Sequence, residues 1–486
     1  MRLGGRLALP SPRSPRSVDA DARQDYVGDA AIALCNIRPR HGPLMADFGT
    51  PASPFAEVRA SPTTVRWRIL ALLMGFTGLC HFNRISISVA GTEHIIKDYG
   101  ISEEQMGLVY SAYLLVYTLL MIPGGWLIDR VGPKRSLLLV GFGSALLVPL
   151  TGAIGLMAFA TGGGMLLALR VVRGMLGMIS APVHPAASRA VSFWISPHAR
   201  GAANGMVTGA AVLGIASTYF AFGMLADWLG WPAAFGVSGA VTLLLTLVWM
   251  LYATDRPADH AGVNAAEREH IEAGEPLRPT IEENAQSPLR ALSGMFRNRS
   301  LVLLTISYAT VSYFQYLFFY WMQYYFDDVL GLDTQVGRLY TTITMLAMAC
   351  GMLTGGWLAD RAQAGYRGRF GRALVPMSGM IASAILLLVG ISLSNPVFVV
   401  TCFALAMGAL GASESSFWTT GIELGKRQGG LSGAFLNAGG NAGGIPAPYL
   451  TPLISAYFGW QSGLAIASLL CIAGSLLWLW IDTPER

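Results

Sequence analysis

Arg84 and Arg173 each lie inside an apolar run long enough to cross a lipid bilayer. An arginine near the middle of a membrane helix costs about 2.5–3.5 kcal/mol, so one that stays there has a partner or a ligand. Helical spacing gives each a polar face. His81, Arg84 and Ser88 are three and four residues apart, and Arg173, Ser180 and His184 are seven and four apart. Two polar faces in an apolar bundle are expected to meet at a water-filled cavity, where guanidinium groups draw in an anion. Two simpler readings stand beside this one. Arg84 lies near the outer end of its run and could snorkel to the membrane surface, and Ser180 could serve only close helix packing.

Other polar residues inside apolar runs are Gln315 and Tyr316, Glu414 within Ser413-Glu414-Ser415-Ser416-Phe417-Trp418, and Asn437 and Asn441 one helical turn apart. Tyr320 and Tyr324 are expected in an interfacial aromatic belt. A carboxamide both donates and accepts hydrogen bonds, which suits a ligand with carboxylate and hydroxyl groups; for Asn441, bonding between helices is the alternative. There is no nucleophile–base constellation, metal-ligand set or phosphate loop. The cysteines Cys35, Cys80, Cys350, Cys402 and Cys471 have neither metal nor disulfide spacing. An enzyme, a cofactor, a bound metal and a nucleic-acid partner are therefore not expected.

These side chains must be carried by membrane helices. Of 486 residues, 53% are hydrophobic and 13% charged, with a mean hydropathy of +0.49. Soluble chains carry about 25% charged residues. The 57 glycines suit closely packed membrane helices. Apolar segments of bilayer-crossing length cover 67–90, 104–128, 137–160, 165–189, 200–224 and 232–253. A second set covers 300–326, 336–360, 373–394, 397–421, 430–454 and 460–481. The fold class is an all-α membrane protein of twelve spans in two six-helix bundles, 67–254 and 300–486.

A polar central loop, 255–299, separates the bundles. Residues 1–66, rich in Arg, Pro and Ser, read as a disordered tail, with Met45 an alternative start to Met1. Arg and Lys gather after spans two, four, eight and ten, whereas Asp98, Glu103, Glu104, Asp327, Asp328 and Asp333 occupy alternate loops. Both termini and the central loop are thus expected in the cytoplasm.

The halves are related. Gly124-Gly125-Trp126-Leu127-Ile128-Asp129-Arg130 between spans two and three returns as Gly355-Gly356-Trp357-Leu358-Ala359-Asp360-Arg361. Gly201, Gly214 and Gly230-Trp231 have counterparts at one common offset in Gly430, Gly443 and Gly459-Trp460.

Twelve spans with Gly125-x-Leu127-x-Asp129-Arg130-x-Gly132-x-Lys134-Arg135 after the second resemble the major facilitator superfamily. Four stretches are similar to its anion:cation symporters, which include hexuronate, galactonate, glucarate and phthalate permeases, sialin and vesicular glutamate transporters. They are Asn83-Arg84 with Ser88-Val89-Ala90, the segment Arg173 to Pro185, Ser192-Phe193-Trp194 with Arg200-Gly201, and Asn437 to Gly444.

The resemblance implies transport of a small organic anion, such as a sugar acid, by alternating access in a bacterial inner membrane. It implies that Arg84 and Arg173 bind the anion or join the coupling network and that Tyr316 donates a hydrogen bond to substrate; Gln315, Asn437 and Asn441 are the further candidates for substrate contact. The motif Gly125, Asp129, Arg130, Gly132, Lys134 and Arg135, with Asp360 and Arg361, would gate, its glycines letting spans two and eleven approach. Proton-coupled relatives carry carboxylates where this chain has Asn83 and Ser180, and neither of these can titrate. Coupling to H+ or Na+ is therefore either lost or moved to His81, His184 or Glu414. The protein is expected to act as a monomer. A proton-coupled drug or metabolite exporter and a non-transporting membrane sensor are the rival functions.

Overall fold

A computed structural model describes residues 61–157, 163–273, 288–366, 369–425 and 428–482. Most of the expected tail lies outside the described residues, as do Arg367, Lys426, Arg427 and the side chains of Trp126 and Asp129. Helices form all the regular structure among the described residues. The first bundle holds α1 (Val65–Ala90), α2 (Ile96–Tyr99), α3 (Glu103–Val131), α4 (Pro133–Gly155), α5 (Gly163–Ser180), α6 (Val183–Trp194), α7 (Arg200–Leu229) and α8 (Trp231–Tyr252). The central segment holds α9 (Ala265–Glu272) and α10 (Pro288–Arg297). The second bundle holds α11 (Arg299–Tyr324), α12 (Thr334–Gly365), α13 (Arg369–Ile391), α14 (Pro396–Leu424), α15 (Gly429–Gly444), α16 (Ala447–Phe458) and α17 (Trp460–Leu476).

Eleven segments are long and apolar enough to cross a membrane among the described residues. The eleventh expected span, 430–454, is not among them: it is divided into α15 and α16 at Ile445 and Pro446. Proline has no N–H to continue the ladder and biases the residue before it away from helix. α5 and α6 are divided similarly at Ala181 and Pro182.

The first span is longer than its apolar pattern. A π turn, Gly91–Ile95, joins α1 to α2, and the helix stops only at Gly100, where φ is 63°. Arg84 is therefore nineteen residues from one end and fifteen from the other, near mid-membrane rather than near the outer end. That depth removes the snorkelling alternative. The seventh span ends in a matching π turn, Tyr325–Val329.

The duplication is visible in the packing. Gly214 of α7 lies against the Gly78 carbonyl of α1, and Gly443 of α15 lies against Ala309 of α11. Close approach of backbones excludes a Cβ at both. Gly230 and Gly459 have φ of 79° and 80° and start α8 and α17. Gly214→Ala is expected to cost about 1–3 kcal/mol by overpacking, read as a lower melting temperature in detergent. Gly201→Ala, which meets no atom within 4 Å, serves as the near-neutral comparison.

The central segment is more than a surface connection. The fully buried Glu267 of α9 accepts from the backbone N–H groups of Val65 (3.3 Å) and Arg66 (3.0 Å) at the start of α1. It also lies 3.7 Å from the Arg66 guanidinium. A carboxylate there meets free N–H groups and the positive end of the helix dipole. Asp255 does the same for α4, accepting from Lys134 N–H at 2.8 Å.

Candidate functional site

Between the bundles at mid-membrane, Arg84 sits in a box of tyrosines. Its guanidinium carbon lies 4.8 Å from the ring centre of Tyr316, 5.4 Å from Tyr113 and 5.7 Å from Tyr117. Its Nε donates to the Tyr320 hydroxyl at 3.4 Å. The residue is 5% exposed, makes no ion pair, and its Nη2 has no hydrogen-bond partner among the described residues. A desolvated guanidinium with a free donor and no carboxylate is a group whose hydrogen bonding an anion would complete. Aromatic faces lower the cost of the charge without satisfying that N–H.

Arg173 is fully buried and has a different setting. Its Nη1 donates to the Asn83 carbonyl at 3.1 Å and its Nη2 to the Arg84 carbonyl. It thereby fixes the backbone that carries Arg84. The Asn83 side chain donates to Thr242 Oγ1 at 2.9 Å and ties α1 to α8. Ser180 is buried beside Cys80 and Tyr113.

Across the box, the Tyr316 hydroxyl donates to Asn441 Oδ1, and Asn441 Nδ2 donates to Asn437 Oδ1 at 2.9 Å. The two carboxamides and the tyrosine thus form one chain leading from the Arg84 box. Gln315 faces elsewhere, donating to Glu414 Oε2 at 3.1 Å, while the Tyr308 hydroxyl donates to Glu414 Oε1. His81 and His184 come together, their Nε2 atoms 3.5 Å apart. His81 Nδ1 lies 3.0 Å from the Thr77 carbonyl and so carries a hydrogen, leaving its Nε2 to accept from His184. The pair is complete when both rings are neutral.

The aromatic-belt expectation for Tyr320 and Tyr324 is corrected. They are 2% and 8% exposed, Tyr320 stacks on Tyr110 at 4.9 Å, and Tyr324 donates to Glu103 at 2.5 Å. Both join the bundles because α11 faces the first bundle along this length.

Sequence reasoning missed Arg338. It makes paired contacts with Glu93, 2.7 Å from Nε and from Nη2, and with Asp227, 2.6 Å from Nη1 and 2.8 Å from Nη2. Gln323 donates to Glu93 at 2.6 Å, and Lys97 pairs with Asp328 at 3.0 Å. All these contacts cross between bundles at the end rich in acidic residues. A charged residue at the third position of span eight was the available signal. Further bonds between bundles run from Tyr219 to the Phe319 carbonyl and from Ser111 to the Ile445 carbonyl, both 2.8 Å.

At the opposite, basic end, Gly201, Gly205 and Gly209 on one face of α7, and Gly430 of α15, meet no atom within 4 Å. Gly125 of the repeated motif likewise meets none. Close approach of α3 to the second bundle is made instead by Gly107 against the Pro448 carbonyl, toward the acidic end. Arg361 stacks on Trp357 at 4.1 Å, and Arg130 and Asp360 are exposed. The gate role expected of Asp129 rests on a side chain outside the described residues.

Residues 70–436 match the family model described as Major Facilitator Superfamily. The chain is 27% identical to the D-galactonate transporter of Escherichia coli O6:H1, over 86% of this chain and 96% of that protein. It is 27% identical to a probable galactarate/D-glucarate transporter of Bacillus subtilis, over 87% and 93%. With a probable sulfoacetate transporter of Cupriavidus necator it shares 28% identity over 79% and 86%. A bacterial homologue of the human lysosomal transporter Spinster has the same fold, with a TM-score of 0.70 at 17% identity, covering 87% of this chain and 100% of that one. Two helical bundles joined by a central segment, with a family match across both, make this chain a multi-pass membrane transporter belonging to the Major Facilitator Superfamily.

Proposed function

We propose that the protein carries small organic anions, sugar acids foremost, through a site centred on Arg84. The free Nη2 of a buried, unpaired guanidinium is the observation that carries this reading. A substrate carboxylate would complete that donor set and neutralise the charge. Tyr316, Asn441 and Asn437 would then meet hydroxyl groups, since this chain can donate and accept. Arg173 acts through the carbonyls of residues 83 and 84 as a positioning residue. Relatives named for galactonate, glucarate and sulfoacetate transport support an acidic solute.

The basic end is assigned to the cytoplasm by its Lys and Arg. The bundles are then closed on the outside by the Arg338 contacts and stand apart toward the inside. Rocking about the Arg84 box, with these contacts breaking and the faces of Gly201 and Gly430 closing, would expose the site outward. One chain contains the whole site, which supports a monomer as the working unit.

A melting-temperature screen of purified protein against D-galactonate, D-glucarate, sulfoacetate and neutral sugars tests the reading. A ligand at about 100 times its Kd stabilises by about 2.7 kcal/mol. Stabilisation by acids and not by neutral sugars is expected. Stabilisation by neither class, with no vesicle uptake of the acids, would remove the proposal.

A further inference from the structure

We propose that Glu414 is the proton-binding site of this transporter, its carboxylate taking up a proton when an anion occupies Arg84. The proposal rests on the anion-transport reading above and supplies the coupling group that Asn83 and Ser180 cannot provide.

Placement comes first. The other acidic residues of the spans lie near their ends: Glu93, Asp98, Glu103, Glu104, Asp227, Asp327 and Asp328 at one, Asp129, Asp360 and Glu423 at the other. Glu414 is eighteen residues from the start of α14 and ten from its end, about 15 Å along the helix from its nearer end. Among the described residues it is the one carboxyl group between the end layers.

Its surroundings fit a group that changes charge. Glu414 is 7% exposed and makes no ion pair among the described residues. From α11 it is met by Tyr308 and Gln315, and from its own helix by Trp418, all neutral. α12 and α13 pack on α14 through Gly351, Gly355 and Gly379, which bring no charge. Both protonation states can keep a hydrogen bond to each of the same two partners. As a carboxylate, Glu414 accepts from the Tyr308 O–H and the Gln315 N–H. On uptake of a proton from water an O–H bond forms at Oε1, and the Tyr308 hydroxyl turns from donor to acceptor while Gln315 continues to donate. The Tyr308 hydrogen, released from Oε1, then turns to another acceptor.

The link to the anion is short. Gln315, which holds Glu414, adjoins Tyr316, whose ring lies under Arg84 and whose hydroxyl meets Asn441. Tyr316 is within electrostatic reach of both Arg84 and Glu414. A carboxylate arriving beside Tyr316 adds a negative charge on the side of the bundle that Glu414 shares with that residue, which favours the protonated form of Glu414. Anion and proton binding therefore help each other by the same factor.

The other titratable groups are less suited. A proton on His81 would set its Nε2–H against that of His184, and a proton on either ring would put a second cation within electrostatic reach of Arg84. Glu93 and Asp227 are held by Arg338, and Asp328 by Lys97. Asp327 lies with Gln323 at the closed outer end, remote from the cytoplasmic side.

The test uses full-length protein in proteoliposomes with D-galactonate, D-glucarate, galactarate and sulfoacetate as probes. Wild type is expected to exchange labelled for unlabelled probe and to accumulate it several-fold when the interior is made alkaline. Glu414→Gln is expected to go on exchanging while the gradient no longer stimulates accumulation, and Glu414→Asp to restore the response. A Glu414→Gln protein still driven by the gradient overturns the proposal, as does a wild type that exchanges without any response to pH. Exchange of none of the four by wild type overturns the anion-transport reading and the proton site with it. If Glu414→Gln does not fold, Tyr308→Phe decides: the pH midpoint of probe binding must move when one donor to Glu414 is removed, and an unmoved midpoint overturns the proposal.

Discussion

Replacing Arg84 with Gln is expected to weaken binding of D-galactonate by roughly 10- to 150-fold. A hydrogen bond to a charged group contributes about 1.5–3 kcal/mol, and each 1.4 kcal/mol is tenfold in affinity. Arg84→Lys is expected to recover little. A lysine places one compact charge and cannot both lie across the rings of Tyr113 and Tyr316 and present a second N–H. Titration of purified protein by tryptophan fluorescence reads the effect. The melting temperature separates loss of binding from loss of folding. Arg173→Ala should show the opposite pattern, with a lower melting temperature because the carbonyls of Asn83 and Arg84 lose their buried donor. An Arg84→Gln protein with unaltered affinity would exclude contact between Arg84 and the solute.

The second large effect concerns the closure at the acidic end. Arg338→Gln leaves Glu93, whose side chain is 5% exposed, without its cation. Breaking a buried ion pair on one side costs about 3–5 kcal/mol. The Asp227 side chain is 44% exposed, so water screens it and little is added from that arm. Two transporter conformations commonly differ by a few kcal/mol, so a penalty confined to the closed form can invert their populations. Spin labels on the exposed Trp228 of α7 and Gln335 of α12 would report the gap between bundles at that end. A shift to longer distances in Arg338→Gln is expected, together with at least a tenfold fall in uptake. An unchanged distance distribution would show that these contacts do not hold the acidic end closed.

Much of this architecture was legible in the residues. Apolar length gave the spans, and the common offset of Gly214 with Gly443 and Gly230 with Gly459 gave the duplication, because these glycines sit where backbones touch or turn. Arg84 stood out because charge in lipid is costly. Its depth did not, since Glu93, His94, Lys97 and Asp98 make the last turns of the first span look like a loop. Those side chains remain helical because Glu93 and Lys97 are neutralised from the other bundle.

Arg338 shows a second limit. Its partners are 245 and 111 residues away, and a single sequence carries no record of such pairings. Tyr320 and Tyr324 failed for a related reason. Tyrosines near the end of a span suit an interfacial belt and a helix–helix seam equally well by composition, and only the packing of α11 against the first bundle decides between them. The division of span eleven was signalled by Pro446, but the apolar run around it concealed the break.

Affinities of wild type and Arg84→Gln for D-galactonate and for its uncharged amide form a cycle in which only the pairing of guanidinium with carboxylate differs. Wild type is expected to prefer the acid by roughly 10- to 150-fold, as the strength of a charge-assisted hydrogen bond implies, and the variant to bind both about equally. If the variant keeps the full preference for the acid, the carboxylate is held elsewhere and Arg84 is not the anion site.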